Sequence, residues 1–254
     1  MIIEIEHNGD SYSCDLSTPL DISIPVGEVK CFYAPDLKIN PFVSGDFVGS
    51  VKAGAPVNFF NVSLNPHGNG THTESLGHIT LEQESVNDCL KQYHFIAQLI
   101  TVELTEATNG DKVVTEAEVK TKCPETLPDA LIIRTKPNDQ KKRTTDYSGS
   151  NPPYLTKESM EYIVEKGVNH LLIDLPSVDR EEDDGKLKNH RLFWKVDTNV
   201  ANLSSRIQCT ITELIYVPNE IKDGLYFLNV QMPSLVLDAV PSKPVLYRLD
   251  PVFY

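Results

Sequence analysis

The stretch TKESMEYIVEKGVNHLLIDLP (residues 156–176) contains a helix signal followed directly by a strand signal. Thr156 is a preferred N-cap residue, and the spacing of apolar residues after it predicts an amphipathic helix that ends near Lys166. These apolar residues are Met160, Ile163 and Val164. Gly167 favours the end of the helix, and the apolar run at 170–176 then predicts a buried strand. The stretch therefore predicts a fold that contains both helices and strands.

Outward from this unit, most of the remaining patterns predict strands. A second short helix, capped by Thr115, is predicted over residues 115–123. Residues 36–56 are rich in Gly, Pro, Asp and Ser and are interpreted as a loop. Apolar or alternating runs that favour strands occupy residues 2–7, 11–24, 29–35, 57–65, 94–104, 130–135, 207–217, 225–233 and 244–254. Because strands outnumber helices and no boundary is evident, we expect one β-rich mixed α/β domain over residues 1–254.

The charge balance argues against several classes of partner. The 254 residues include 23 basic and 36 acidic residues, a net charge of -13. Nucleic acid binding needs a basic surface, and an anionic membrane surface would repel this chain, so neither partner is expected. No apolar run approaches the roughly 20 residues that a membrane-spanning helix needs.

The five cysteines and the first residues predict a cellular location. The cysteine count is odd, and no two cysteines form a CxxC pair. This pattern favours reduced thiols over a disulfide framework or a zinc finger. The opening MIIEIEHNGD (residues 1–10) has no basic leader followed by a long apolar region, so no signal peptide is expected. We therefore predict a cytoplasmic protein.

The stretch HGNGTHTESLGH (residues 67–78) carries three of the seven histidines and one glutamate. His72 and Glu74 are two residues apart, so in an extended segment both side chains face one ion. His67 and His78 flank them, and the glycines before His72 allow a tight turn that brings His67 back. Imidazole and carboxylate are ligands for zinc and manganese, and burying them without a cation would be costly. The stretch predicts a metal site, with a polar surface loop as the alternative.

The same stretch resembles the H-x-G-T-H-x-D-x-P-x-H signature of the cyclase-type metal-dependent hydrolases, which include bacterial kynurenine formamidase and isatin hydrolase. Further segments resemble the family in the same order. DLSTPL (15–20) is similar to its opening, LLIDLPSVD (171–179) to D-T-P-S-V-D, and ITELIYVPNEI (211–221) to E-N-L-x-N-L. The resemblance implies a swivelling β/β/α architecture and homo-oligomers.

Residue roles follow from this resemblance rather than from spacing. His72 matches a histidine ligand, and Glu74 stands where the family has an aspartate that bridges two ions. His78 matches the histidine taken as general acid and base. His190, in NHRLFW (189–194), matches a distant metal ligand, and Glu213 matches a carboxylate that binds or bridges the ions. By themselves, His190 and Glu213 would more often be ordinary exposed residues, and only the resemblance gives them a role. The implied cofactor is a divalent metal, zinc in preference to manganese, as one or two ions.

The chain departs from the signature in three places. The family's first histidine corresponds in position to Gly68, and His67 lies one residue earlier. We expect His67 to act as a metal ligand through the flexible glycines. Glu74 is one methylene longer than the family's aspartate, and the longer loop and longer side chain could compensate for each other. Leu76 replaces a proline, which concerns only loop rigidity.

The chemistry implied is metal-assisted hydrolysis of a small amide, either an N-formyl aryl amine, as in tryptophan catabolism, or a cyclic amide. His78 would move the proton, because an imidazole titrates near working pH. Phe32 and Tyr33 lie roughly where the family contributes an aromatic that faces the substrate, or they are residues of a core strand. Two alternatives remain: a family member that binds metal or ligand without turnover, and a metal-free β-rich interaction domain.

Overall fold

The computed structural model describes residues 1–197 and 206–252. Its strands run in chain order as β1 (Ile2–His7), β2 (Asp10–Asp15), β3 (Leu20–Asp21), β4 (Lys38–Pro41), β5 (Val43–Ser44), β6 (Phe47–Val48), β7 (Phe60–Ser63), β8 (His72–Glu74), β9 (His94–Glu103), β10 (Thr105–Glu106), β11 (Lys112–Val114), β12 (Ala130–Lys136), β13 (Tyr154–Leu155), β14 (His170–Ile173), β15 (Thr210–Glu213), β16 (Gly224–Gln231), β17 (Ala239–Pro241), β18 (Lys243–Arg248) and β19 (Asp250–Pro251).

The helices of the described residues are short. The α-helices are α1 (Val86–Cys89), α2 (Glu116–Lys122), α3 (Lys157–Glu165) and α4 (Lys188–Trp194). Single turns of 3-10 helix occupy Val51–Ala53, Leu76–Ile79 and Gln140–Arg143. None of the helices in these described ranges is long and apolar enough to cross a membrane.

Nine strands form the central sheet, in the order β17-β8-β15-β14-β12-β9-β16-β18-β3. The four middle strands β15, β14, β12 and β9 are parallel, and the flanking pairs are antiparallel. Successive residues of β12 alternate between two apolar clusters, with Leu131 and Ile133 in one and Ala130 and Ile132 in the other. Parallel strands are buried on both faces in this way, which explains their continuous apolar sequence.

Helices α2, α3 and α4 contribute to the apolar cluster on one face of this sheet. The buried residues there are Val119 of α2, Met160 and Ile163 of α3, and Phe193 and Trp194 of α4.

The predicted helix caps form as expected. The Thr115 and Thr156 hydroxyl groups accept hydrogen bonds from the amides of Glu118 and Ser159, respectively. The predicted fold class, a strand-rich mixed α/β fold, is confirmed.

Several local predictions were wrong. Residues 36–56, predicted as a loop, contain β4, β5 and β6, and β4 pairs with β7 as a two-stranded ribbon. Residues 29–35 form no strand, because Phe32 and Tyr33 both adopt left-handed backbone angles. The strand predicted within residues 57–65 does form as β7, although its side chains are exposed along its whole length. A pattern of apolar residues alone does not distinguish such an exposed strand from a core strand.

Candidate metal centre

Strand β8 supplies the centre of the candidate site. It lies between β15 and β17, and His72 pairs directly with Glu213 across the β8–β15 ladder. His72 and Glu74 are both fully buried, and their ligand atoms converge with that of Glu213. Thr73 contacts other partners, the hydroxyl groups of Thr212 at 2.8 Å and Ser242 at 2.9 Å. The alternation of a strand therefore places the histidine and the glutamate of this motif together.

His72 presents one ring nitrogen to this centre. Its Nδ1 lies 3.1 Å from the carbonyl oxygen of Gly70, which can only accept, so Nδ1 carries the proton. Its Nε2 is buried, makes no hydrogen bond, and lies 3.5 Å from Glu213 Oε2. The other oxygen of Glu213 accepts a hydrogen bond from the amide of Val178 at 3.0 Å. The lone pair of His72 Nε2 is thus free to bind an ion.

His190 reaches the same point from helix α4. Its Nδ1 lies 2.7 Å from Asp179 Oδ2, and the amides of Asn189 and His190 also donate to the Asp179 carboxylate. His190 Nε2 lies 3.0 Å from Glu74 Oε1 and 3.8 Å from Glu213 Oε1, without forming a hydrogen bond. A histidine that binds a metal through one ring nitrogen usually donates the N–H of the other nitrogen to a carboxylate or a carbonyl oxygen. His190 is buried, so its interpretation as an exposed histidine is wrong.

His67 also reaches the centre despite its earlier position in the sequence. Its Nδ1 lies 3.2 Å from Glu74 Oε2, and its Nε2 lies 2.9 Å from Asp238 Oδ2. The rings of His67 and His78 are 4.3 Å apart between centroids, and His78 Nδ1 lies 3.5 Å from the same oxygen of Asp238. The structure thus brings together His67, His72, Glu74, His78, His190 and Glu213.

Gly68 explains why the histidine of this turn stands at position 67. A Cβ atom at Gly68 would lie 2.2 Å from Ala34 Cβ and 3.0 Å from the carbonyl oxygen of Cys31. No side chain fits there, so the position that corresponds to the family's first histidine cannot hold one. Neither Gly68 nor Gly70 has a positive φ angle. These glycines are needed for close approach to the loop at 24–34, and the tight turn before His72 does not depend on a positive φ angle at either of them.

The donor set fits a divalent ion. Five buried side-chain atoms of the described residues have no hydrogen-bond partner, and four of them belong to this site: His72 Nε2, Glu74 Oε1, Glu74 Oε2 and His190 Nε2. An unpaired buried polar group costs about 1–3 kcal/mol, and more when it is charged. Two groups of ligand atoms can be drawn, His67 with Glu74 and His78, and His72 with Glu74 and Glu213. Glu74 belongs to both, as a residue that bridges two ions would.

The charged groups of the site shift one another's pKa values. Burial opposes ionisation of Glu74, but the positive charges of His78 and His190 hold its pKa well below the usual value. Burial also opposes protonation of His190, but Glu74 and Asp179 raise its pKa well above the usual value. Burial likewise opposes protonation of His67, but the hydrogen bond to Asp238 and the charge of Glu74 raise its pKa to about 10. These histidines and carboxylates thus stabilise one another's charged forms.

The site opens into a cavity of about 680 Å³. His67, His78, His190 and Glu213 line its inner end, and Phe32 contributes an aromatic wall. Its outer part is lined by the acidic run Glu181, Glu182, Asp183 and Asp184. Tyr33 does not line the cavity and is 74% exposed, so the structure does not place it at a substrate. Its amide donates to the Ser148 hydroxyl at 3.0 Å.

A comparison with known families finds one that matches most of this chain. The family model described as "Putative cyclase" matches residues 14–180, more than half of the chain. This chain belongs to the cyclase family. The match includes the β8 motif and Asp179, whereas His190 and Glu213 lie beyond it. A search of curated proteins finds no match.

Solved structures share the fold of this chain at low sequence identity. A potential metal-dependent hydrolase with cyclase activity has a TM-score of 0.62 and 15% identity, over 91% of this chain and 98% of the other. Isatin hydrolase A from Labrenzia aggregata, bound to benzyl benzoate, has a TM-score of 0.63 and 11% identity, over 91% of this chain and 93% of the other. Isatin hydrolase A from Ralstonia solanacearum has a TM-score of 0.63 and 14% identity, over 91% of each chain.

Two residues of the site could not be identified from the sequence. Asp179 lies in the family-like segment LLIDLPSVD (171–179), from which no role for it follows, although it holds His190. Asp238 was not considered, because a lone aspartate in the apolar run SLVLDAV (234–240) carries no local signal. Only the pairing of β17 with β8 brings Asp238 to His67 and His78.

Proposed function

We propose that this protein is a metal-dependent hydrolase that cleaves a small amide, in the manner of an arylformamidase or a cyclic amide hydrolase. The observation that carries this proposal is the convergence of His67, His72 and His190 on Glu74 and Glu213. Each of the three rings has one nitrogen held by an oxygen and the other directed at the carboxylates. This is how histidine ligands are oriented around an ion.

We propose that zinc, or else manganese, is held by His67, His72, Glu74, His190 and Glu213 as one or two ions. A divalent ion bound there would act as a Lewis acid that activates water and polarises the carbonyl group of an amide. Glu74 keeps its negative charge in the fully buried site because its pKa is held low, so it is ready to bind a cation. Asp179 and the Gly70 carbonyl fix the ring tautomers of His190 and His72.

His78 is the group that moves the proton in this proposal. Its side chain is 27% exposed and lines the cavity, whereas His72 is fully buried. Its Nδ1 approaches Asp238, and its ring lies beside the proposed ligands His67 and His190. From this place His78 can accept a proton from water and deliver it to the leaving nitrogen.

The cavity supports a small substrate with an apolar or aromatic part. Phe32, Ala34 and Leu187 line it beside the histidines. Phe32 is proposed to face the aryl group of an N-formyl aryl amine or of a fused cyclic amide. The acidic run at 181–184 disfavours substrates with a negative charge at the outer end of the cavity.

The proposal is tested by turnover of N-formyl aryl amines and fused cyclic amides with zinc or manganese present, before and after chelation. We expect hydrolysis that chelation abolishes and that added metal restores. His78→Gln should lower kcat about 10²–10⁴-fold while bound metal is retained. His94→Gln, which alters an exposed histidine outside the site, is the matched control. A His78→Gln variant that loses its metal would make His78 a ligand and not the proton carrier.

The replacement of the family's first histidine by Gly68 favours a second candidate function. In that case the protein binds metal and an amide-like ligand without turnover. Tight ligand binding to the metal-loaded protein, with no product formed by either substrate class, would support this second function over hydrolysis.

We also propose that the protein forms homo-oligomers in the cytoplasm, through the ribbon at residues 38–63. An isolated two-stranded ribbon is only marginally stable in water, yet this segment exposes many large apolar side chains. These are Ile39, Val43, Phe47, Val48, Val51, Val57, Phe59, Phe60 and Val62. The ribbon has only Lys38, Asp46 and Lys52 as charged residues, so two copies can meet there without the repulsion expected elsewhere on this acidic chain. Sedimentation should show an oligomer that Phe59→Ser with Phe60→Ser converts to a monomer.

A further inference from the structure

Asp238 is an acidic residue beside the candidate site that neither the motif nor the family resemblance identifies. It directly precedes β17, and its carbonyl oxygen accepts a hydrogen bond from the amide of Ser75 at 2.9 Å. Ser75 follows Glu74 in the chain, so the backbone of Asp238 is fixed next to the end of β8. The position of its side chain is therefore set by the strand that carries the proposed ligands.

One oxygen of the Asp238 carboxylate contacts two imidazole rings. Oδ2 lies 2.9 Å from His67 Nε2 and 3.5 Å from His78 Nδ1. A carboxylate oxygen accepts, so His67 Nε2 carries a proton, and the other nitrogen of His67 is then directed at Glu74 Oε2. In the same way, Asp179 Oδ2 accepts from His190 Nδ1, and His190 Nε2 is directed at the other oxygen of Glu74, Oε1. Glu74 thus lies between two histidines that are each held from behind by an aspartate.

We propose that Asp238 is a positioning residue that compensates for the longer loop between His67 and His72. Since Gly68 cannot carry a side chain, the first histidine is supplied from one residue earlier and needs an anchor of its own. Asp238 orients the ring of His67 so that Nδ1 faces Glu74 and would be available to an ion, and it holds the ring of His78 alongside. This inference rests on the proposed metal-dependent function.

The test measures metal binding and not turnover. Zinc affinity is determined by competition with a chromophoric chelator, and the coordination of His67 is followed through the visible spectrum of the cobalt-substituted protein. Asp238→Asn keeps the shape of the side chain and should weaken zinc binding about 10–100-fold, as loss of an outer partner of a ligand does. Asp36→Asn removes the same charge from an exposed site (81% exposed) and should leave the affinity unchanged.

A double-mutant cycle separates positioning from a general effect of charge. If Asp238 acts through His67, the variant with both Asp238→Asn and His67→Ala binds zinc no more weakly than His67→Ala alone. The cobalt spectrum of Asp238→Asn should shift towards that of His67→Ala. Asp238→Ala is the second variant should the first fail to fold, because the side chain is 29% exposed and its truncation leaves no sealed cavity.

The outcomes distinguish this inference from the proposed function. Additive losses in the cycle, or an unchanged affinity in both Asp238 variants while His67→Ala and His72→Ala lose zinc, would overturn the positioning role alone. A wild-type protein that binds no zinc, manganese or cobalt would overturn the metal-dependent function and the inference together.

Discussion

His72 and Glu213 lie directly opposite each other on antiparallel strands, with His72 Nε2 3.5 Å from Glu213 Oε2. Both are buried, and the ring nitrogen has no hydrogen-bond partner in the described residues. Glu213→Gln should lower metal affinity by more than about 100-fold. Loss of a residue that only hydrogen-bonds a metal ligand already lowers the affinity about 10–100-fold, and loss of a ligand should lower it further. Metal titration followed by calorimetry measures this loss. An affinity within a few-fold of wild type would place Glu213 outside the metal centre.

Glu74 and the loop before it are expected to be matched in length. The Glu74 oxygens lie 3.2 Å from His67 Nδ1 and 3.0 Å from His190 Nε2, so a shorter side chain cannot keep both contacts. Glu74→Asp should therefore reduce the metal bound per chain, although aspartate is the residue of the family signature. Glu84→Asp, at a half-buried glutamate bonded to Thr80, is the control for loss of one methylene. Equal or higher metal content in Glu74→Asp would disprove the compensation.

Gly68 is expected to tolerate no side chain. Gly68→Ala brings a methyl group to 2.2 Å from Ala34 Cβ, and crowding of this kind costs about 1–3 kcal/mol. We expect a lower free energy of unfolding and a lower metal content, because His67 is displaced. Ala34→Gly removes the clashing atom, so the double variant should regain much of both losses. Without such rescue, contact with Ala34 is not the reason for the glycine.

His170 gives the stability of the fold a dependence on pH away from the candidate site. It is buried between Phe95 and Thr210, and burial together with the charge of Arg206 lowers its pKa to about 4. An unfolded histidine has a pKa of about 6.5, so below this pH the unfolded chain binds the proton more readily. The contribution of neutral His170 is thus complete above pH 6.5 and is lost as the pH falls towards 4.

This pH dependence is measured by denaturant unfolding with a chelator present. Wild type should lose up to about 3 kcal/mol more than His170→Gln between pH 6.5 and 4, at about 1.4 kcal/mol for each unit of pKa difference. His94→Gln, at an exposed histidine, should follow wild type. Parallel curves for wild type and His170→Gln would show that His170 is not held neutral by the fold.

The sequence predicts those parts of the fold in which local pattern and burial coincide. The helix over Lys157–Glu165 follows from its threonine cap and apolar spacing, and β12 and β14 follow from continuous apolar runs. The ribbon formed by β4 and β7 was missed in part because its apolar residues are exposed. Helix α4, which carries His190, has no threonine, serine or aspartate cap and was not predicted.

The candidate site was predictable where its residues are neighbours in the sequence. His72 and Glu74 converge because alternate residues of a strand share a face, which the spacing alone indicates. Resemblance to the family was needed to connect them with His190 and Glu213, whose own surroundings suggested exposed residues. Asp238 had neither signal, since its contact with His67 depends on strand pairing between distant segments. The roles of all these residues stay predictions until the binding of metal is measured.

The metal content of the purified protein tests the central claim most directly. Plasma mass spectrometry is applied to wild type, to His72→Ala and to Thr73→Val, whose side chain on the same strand contacts Thr212 and Ser242 instead of the site. We predict one or two equivalents of zinc or manganese in wild type and in Thr73→Val, and a loss of metal in His72→Ala. Wild-type protein that holds neither metal, even after both are added, would contradict a metal centre built on His72, Glu74 and Glu213.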